Sequence, residues 1–79
     1  MKTGLYIGVG DLVWWRHNFG KDPVALARIE RIELVKPGQR DGGDSVMRAE
    51  WTPDRTLIVD LTNGHWAYGH QICPLEGVP

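Results

Sequence analysis

Asn63-Gly64 stands between two runs of strand-forming residues, and no other feature of the chain limits its fold so tightly. Before it, Leu57-Ile58-Val59 is apolar and mostly β-branched, and Leu61 extends the run past Asp60. Such side chains pack well on a pleated surface, and a short apolar run bounded by turn residues fits a buried strand. After it, His65-Trp66-Ala67-Tyr68 returns in alternation, with Trp66 and Tyr68 on one face and His65 and Ala67 on the other. Asn-Gly supplies the positive φ that a two-residue type I′ turn demands, so a β-hairpin is expected here. Gly69 interrupts the returning strand. Pro74 has no amide hydrogen to give to a ladder, so Cys73-Pro74-Leu75 belongs on a short edge strand. Asp60, next to the turn, is expected to hydrogen-bond it.

The rest of the chain must supply partners for that hairpin. Residues 5–9 form a short strand or an ordered lead-in. Gly10-Asp11 opens a further strand, Leu12-Val13-Trp14-Trp15-Arg16-His17, with Leu12, Trp14 and Arg16 on one face and Val13, Trp15 and His17 on the other. An indole on each face means that at least one finds cover outside a single core layer. Residues 17–23 read as a loop, and the polar, glycine-rich residues 36–45 as a mobile one. Residues 46–51 alternate, with Met47, Ala49 and Trp51 opposite Val46, Arg48 and Glu50. Residues 52–55 form a turn and residues 76–79 a tail.

Two readings compete for residues 23–36. Asp22 suits a helix N-cap, Pro23 a first helical residue and Pro37-Gly38 a stop, and Ala25, Leu26, Ile29 and Ile32 share a helical face. Glu33 and Lys36 intrude on that face. As a strand, Ala25, Ala27 and Ile29 line one side, and one bulged residue near Glu30-Arg31 brings Ile32 and Leu34 onto it. Local propensity favours the helix, which would make the fold α+β. The strand is preferred because the remaining sheet must be paired and covered.

A chain of 79 residues makes one domain with a small core, here placed at about 10–76. One cysteine excludes an internal disulfide, which points to a reducing compartment and a cytoplasmic address. Stability must then come from a metal or from self-association, and a homo-oligomer is expected. Nothing approaches a membrane span. The net charge of −1 attracts neither nucleic acid nor acidic lipid in bulk. Residues 1–40 carry seven Lys/Arg against four Asp/Glu, and residues 41–79 two against six, an asymmetry expected to average out in a compact barrel.

Gly10-Asp11-Leu12-Val13, Ala27-Arg28-Ile29, Val59-Asp60-Leu61, Asn63-Gly64 and Gln71-Ile72-Cys73-Pro74-Leu75 follow one another as they do in small barrels. The chain resembles an SH3-like barrel of the Tudor, KOW and chromo-barrel kind. That resemblance implies an all-β domain of about five antiparallel strands that binds peptides, modified side chains, nucleic acid or copies of itself. A weaker likeness is to the plasmid-borne type II dihydrofolate reductases, tetramers around one pore. Their pore motif, Val-Gln-Ile-Tyr before Pro and then Leu-Glu, is similar to His70-Gln71-Ile72-Cys73 before Pro74-Leu75-Glu76. His70 and Cys73 replace the valine and the ligand-contacting tyrosine.

Trp14, Trp15, Trp51, Trp66 and Tyr68 are too many large rings for so small a core to absorb with ease. Trp14, Trp15, Trp66, Tyr68 and Gln71 are therefore the candidate ligand or interface residues, with Trp15 and either Trp66 or Tyr68 the most exposed. His65, His70 and Cys73 are the candidate metal ligands, but no paired Cys/His motif accompanies them, so neither metal nor cofactor is expected. Cys73 beside His70 lacks an orienting third group and an oxyanion hole, so no catalytic residue is assigned. Arg16, Lys21, Arg28 and Arg31 form no basic run, which argues against nucleic acid. The expected function is non-catalytic binding of a protein or small ligand, or self-assembly. The pore-type reductase is the enzyme alternative.

Overall fold

The computed structural model describes residues 3–16, 24–36 and 43–77. The loop expected at residues 17–23 and most of the glycine-rich loop, residues 37–42, lie outside the described residues. The described chain is all-β. Its strands are β1 (Tyr6–Gly8), β2 (Leu12–Trp15), β3 (Ala25–Leu34), β4 (Asp44–Val46), β5 (Arg48–Glu50), β6 (Leu57–Leu61), β7 (Trp66–Tyr68) and β8 (Ile72–Pro74). A 3-10 turn, Gly69–Gln71, joins β7 to β8. Every pairing is antiparallel. No described helix is long and apolar enough to cross a membrane.

Residues 25–34 form one long strand and not a helix. Ala25 to Arg28 pair with β2, and Ile29 to Leu34 pair with β6. The change of partner coincides with a bulge: Ile29 faces Leu61 and Arg31 faces Asp60, so Glu30 is the extra residue. It keeps Ala27, Ile29 and Ile32 on the buried side. The expected face is right for these three and wrong at its ends, because Ala25 and Leu34 are exposed. Beyond Ile32 the buried position falls on Val35, whose N–H donates to the Thr56 carbonyl.

The main sheet runs β7-β6-β3-β2-β8, with β4 also on β3, and a second sheet pairs β1 with β5. The sheet is not closed as a barrel. Among the described residues no ladder joins β7 to β8, the two ends of that order, although only a three-residue turn separates them in the chain. There are also more and shorter strands than the five expected. Residues 46–51 break at Met47 into β4, which extends the main sheet, and the start of β5, which turns away to β1.

The hairpin β6–β7 is present, but its loop has three residues. Gly64 N–H donates to the Leu61 carbonyl, which leaves Thr62 and Asn63 as the central pair, and Gly64 carries the positive φ of 89° as the third residue. Leu61 N–H then reaches the His65 carbonyl, a turn followed by a glycine bulge. Asn63 Oδ1 accepts from His65 N–H at 3.0 Å, which holds the loop in this form.

Inward alternation builds the core from Ile7, Val13, Ala27, Ile29, Ile32, Leu57, Val59, Leu61, Ala67 and Ile72, with Trp15 and Trp51 packed at its margins. Each fully buried aliphatic side chain there contributes about 1.5–3 kcal/mol by leaving water. Trp51 Nε1 donates to the Gly69 carbonyl at 2.8 Å, tying β5 to the 3-10 turn. Leading into β6, Asp54 accepts from both the N–H and the hydroxyl of Thr56, which lowers its pKa below 3.8. A lowered folded-state value stabilises the fold above the unfolded pKa, and that contribution is lost as pH falls through the folded one. Asp54→Ala should therefore be less stable than wild type at neutral pH. The difference between their urea midpoints should narrow as pH falls below 3.8.

Candidate functional site

The strands split the predicted aromatic site into two surfaces. Val13 is buried, so its neighbours Leu12 and Trp14 point to the outer face of β2. Trp15 points inward, half-buried against the core, with its ring 5.0 Å from that of His65. Ala67 is fully buried, so Trp66 and Tyr68 share the outer face of β7. Trp66 is the exposed ring, with 56% of its surface in water, while Trp15 and Tyr68 are half-buried. Trp14 and Trp66 therefore serve different surfaces of the sheet, and Trp15 serves neither.

Around Trp66 the rings are packed in a row. Trp66 meets Tyr68 edge-on, with centroids 5.1 Å apart at 86°. Tyr68 stacks on His70 at 5.7 Å and 14°, and the Arg55 guanidinium lies 5.5 Å from the Tyr68 centroid. Contacts of both kinds hold the rings in place on a short strand. Across the ladder, Asp60 stands beside Trp66, and Arg31 stands beside Asp60 on β3. The Asp60 carboxylate thus lies on the outer face next to the indole. Contrary to expectation, it makes no hydrogen bond to the turn among the described residues. Arg31 leans away from it, toward Glu33 at 3.7 Å and Ser45 Oγ at 3.4 Å.

Gln71 is committed within the fold. Its Oε1 accepts from Tyr68 N–H at 2.9 Å, which caps the 3-10 turn and covers a donor on the free edge of β7. The histidines and the cysteine have separate neighbours: His65 contacts Trp15, His70 contacts Tyr68, and Cys73 of β8 is paired with Trp14 of β2. Among the described residues no group of three or more His, Cys, Asp or Glu is placed to hold a metal. Gly77 covers the Cys73 thiol so closely that a β-carbon there would lie 2.8 Å from Sγ. Burial pushes that thiol up from 9.0, away from the reactive thiolate. Folded protein should therefore consume iodoacetamide at least about tenfold more slowly than the urea-unfolded chain at pH 8. Gly77→Ala should speed the native reaction.

A second feature is built from β1, β2 and the chain around the end of β8. Tyr6, Asp11, Leu12, Leu75 and Glu76 are among the residues that line a cavity of about 220 Å³. Arg48 lies 5.3 Å from the Tyr6 centroid, and Asp11 accepts from Gly8 N–H at 2.8 Å. The roles of Arg55, His70 and Asp60 around the rings, and the cavity itself, were missed from sequence. Asp60 gave no signal either: the two-residue turn expected from sequence would set it opposite Ala67, and only the three-residue loop brings it opposite Trp66. Comparison with known protein families, with curated proteins and with solved structures finds no match to this chain.

Proposed function

We propose that this chain is a non-catalytic binding module of the SH3-like small-barrel kind, which holds a polypeptide partner against the outer face of β6–β7. The observation that carries this reading is Trp66, a large ring left mostly in water yet braced edge-on by Tyr68. A braced, exposed indole loses little freedom on binding and offers much apolar area, as contact residues at interfaces do. Asp60 beside it adds a carboxylate, so the surface favours a partner segment that presents a lysine or arginine over the indole face. The single, buried cysteine suits a reducing, cytoplasmic setting.

The alternatives have less support. A reductase-like pore would need Gln71 and Ile72 to meet a ligand. The Gln71 oxygen is taken by Tyr68 N–H and Ile72 is buried in the core. Titration with NADPH and dihydrofolate is expected to show no binding. For nucleic acid, Arg28 is spent on the Gly10 carbonyl at 2.6 Å and Arg31 on Ser45 and Glu33.

A displayed library of random peptides, panned on the immobilised protein, tests the proposal. Selected peptides should be enriched in basic residues and bind Trp66→Ala at least about tenfold more weakly, with the fold unchanged. Peptides that bind that variant as well as wild type would overturn it.

A further inference from the structure

We infer that the outer face of β8–β2–β3 is a two-fold interface that receives a second copy of this chain. The registers place Cys73 and Leu26 on either side of Trp14, and Arg28 beside Leu12. Leu26 is 53% exposed and Leu75 48%, and Leu12 and Tyr6 are exposed with them at the cavity end. One stretch of surface therefore holds a half-buried tryptophan and four exposed large apolar or aromatic side chains. Contiguous apolar surface of this kind, rimmed by charge, marks a contact site.

The charges at its two ends say what covers it. Arg16 lies two residues beyond Trp14, hence on the same face. Its N–H donates to the Gln71 carbonyl at 3.0 Å, so the β2–β8 ladder reaches that far. Glu76 lies at the opposite end, lining the cavity together with Leu12. Neither Arg16 nor Glu76 has an ion-pair partner among the described residues. An acidic peptide would answer Arg16 and repel Glu76, and a basic one the reverse. A second copy answers both. A two-fold axis through Trp14 sets the β2 strands of the copies antiparallel and carries Arg16 of each to the Leu12 end of the other, where Glu76 stands. Arg16 and Leu12 are four residues apart, about 13 Å along a strand, so the two ionic contacts flank the apolar centre. Such self-complementarity is what an isologous contact requires.

This surface is separate from Trp66, so the two proposals fail independently. Sedimentation equilibrium at about 100 μM, where even a micromolar dimer is populated, should give twice the chain mass of 8.9 kDa. Leu26→Asp, at an exposed position, should give a folded monomer by circular dichroism and sedimentation. Arg16→Glu should weaken the dimer at least about tenfold, and Arg16→Glu with Glu76→Arg should restore it to within about threefold of wild type. Trp66→Ala should leave the mass unchanged. A wild-type mass of 8.9 kDa at that concentration would overturn the interface. So would a dimer that survives Leu26→Asp, or a double variant no better than Arg16→Glu alone.

Discussion

Gly69→Ala is expected to destabilise the protein by about 3 kcal/mol or more, from overpacking against backbone and the loss of up to two hydrogen bonds. Gly69 is buried where the 3-10 turn presses on the turn before β6. A β-carbon there would fall well inside contact distance of the Thr52 carbonyl oxygen and 3.1 Å from that of Asp54. Both obstacles are backbone, so no side-chain rotation relieves them. The glycine also donates to the Asp54 carbonyl at 3.1 Å and accepts from Trp51 Nε1 at 2.8 Å. Any shift that makes room strains both bonds. A domain of this length has roughly 4–12 kcal/mol in total, at about 0.05–0.15 kcal/mol per residue. The urea midpoint should therefore fall by a quarter or more. Gly64→Ala is the control. Nothing lies within 4 Å of its β-carbon, but its φ is +89°. It should cost only about 1–2 kcal/mol, the penalty of a left-handed backbone for a residue with a side chain. If the two variants lose equal stability, close approach is not what demands glycine at position 69.

The contrast between those glycines shows what a single sequence can convey. Gly64 was legible because it follows Asn63 between two strand-like runs, a local signal for a local structure. Even so, the loop took three residues and not two, because the Asn63 side chain caps His65 N–H and moves the positive φ onto the third position. Gly69 could be read only as an interruption. Its demand comes from Thr52, brought against it by tertiary folding. The same division holds for the strands. Alternation put Leu12 with Trp14, Val13 with Trp15, and Trp66 with Tyr68 on common faces, since it needs only the period of two, but it left open which face of β2 turns inward. Closure of the sheet depends on whether β7 and β8 pair, which no local pattern encodes.

The candidate site was legible to the same degree. Trp66 and Tyr68 were assigned to one face from their spacing, and they share it in contact. Trp15 and Gln71 were grouped with them on residue type alone. The sheet turns Trp15 inward, and the need of Tyr68 N–H for an acceptor consumes Gln71. Arg55 could not be anticipated, because its approach to Tyr68 depends on how the turn before β6 lies across the end of β7.

Ile32→Ala should cost about 2–5 kcal/mol, whereas Leu34→Ala, two residues along the same strand, should cost less than about 1 kcal/mol. The residues are of similar size, and in a regular strand they would share a face. Their difference follows from where the sheet ends, since both lie beyond the bulge in regular register with β6. Ile32 is completely buried and stands between Val46 of β4 and Val59 of β6. Three branched side chains thus meet in one cross-strand row, and truncating the middle one leaves a cavity that the rigid β-branched flanks cannot fill. Leu34 sits at the end of the strand, 39% exposed, opposite Leu57 and Asp44. Water can follow its truncation, so the cavity part of the cost is absent. Urea unfolding of the two variants measures the gap directly. Had residues 23–36 been a helix, Ile32 and Leu34 would lie on opposite faces, two steps of about 100° apart, and Ile29 would share the burial of Ile32. Glu30→Gly tests the extra residue itself. With Glu30 spliced out of the register as a bulge, its side chain carries none of the core, and the loss should stay within about 1 kcal/mol. A loss at Glu30 comparable to that at Ile32 would mean that the strand runs through this point in regular register, with a different set of residues facing the core.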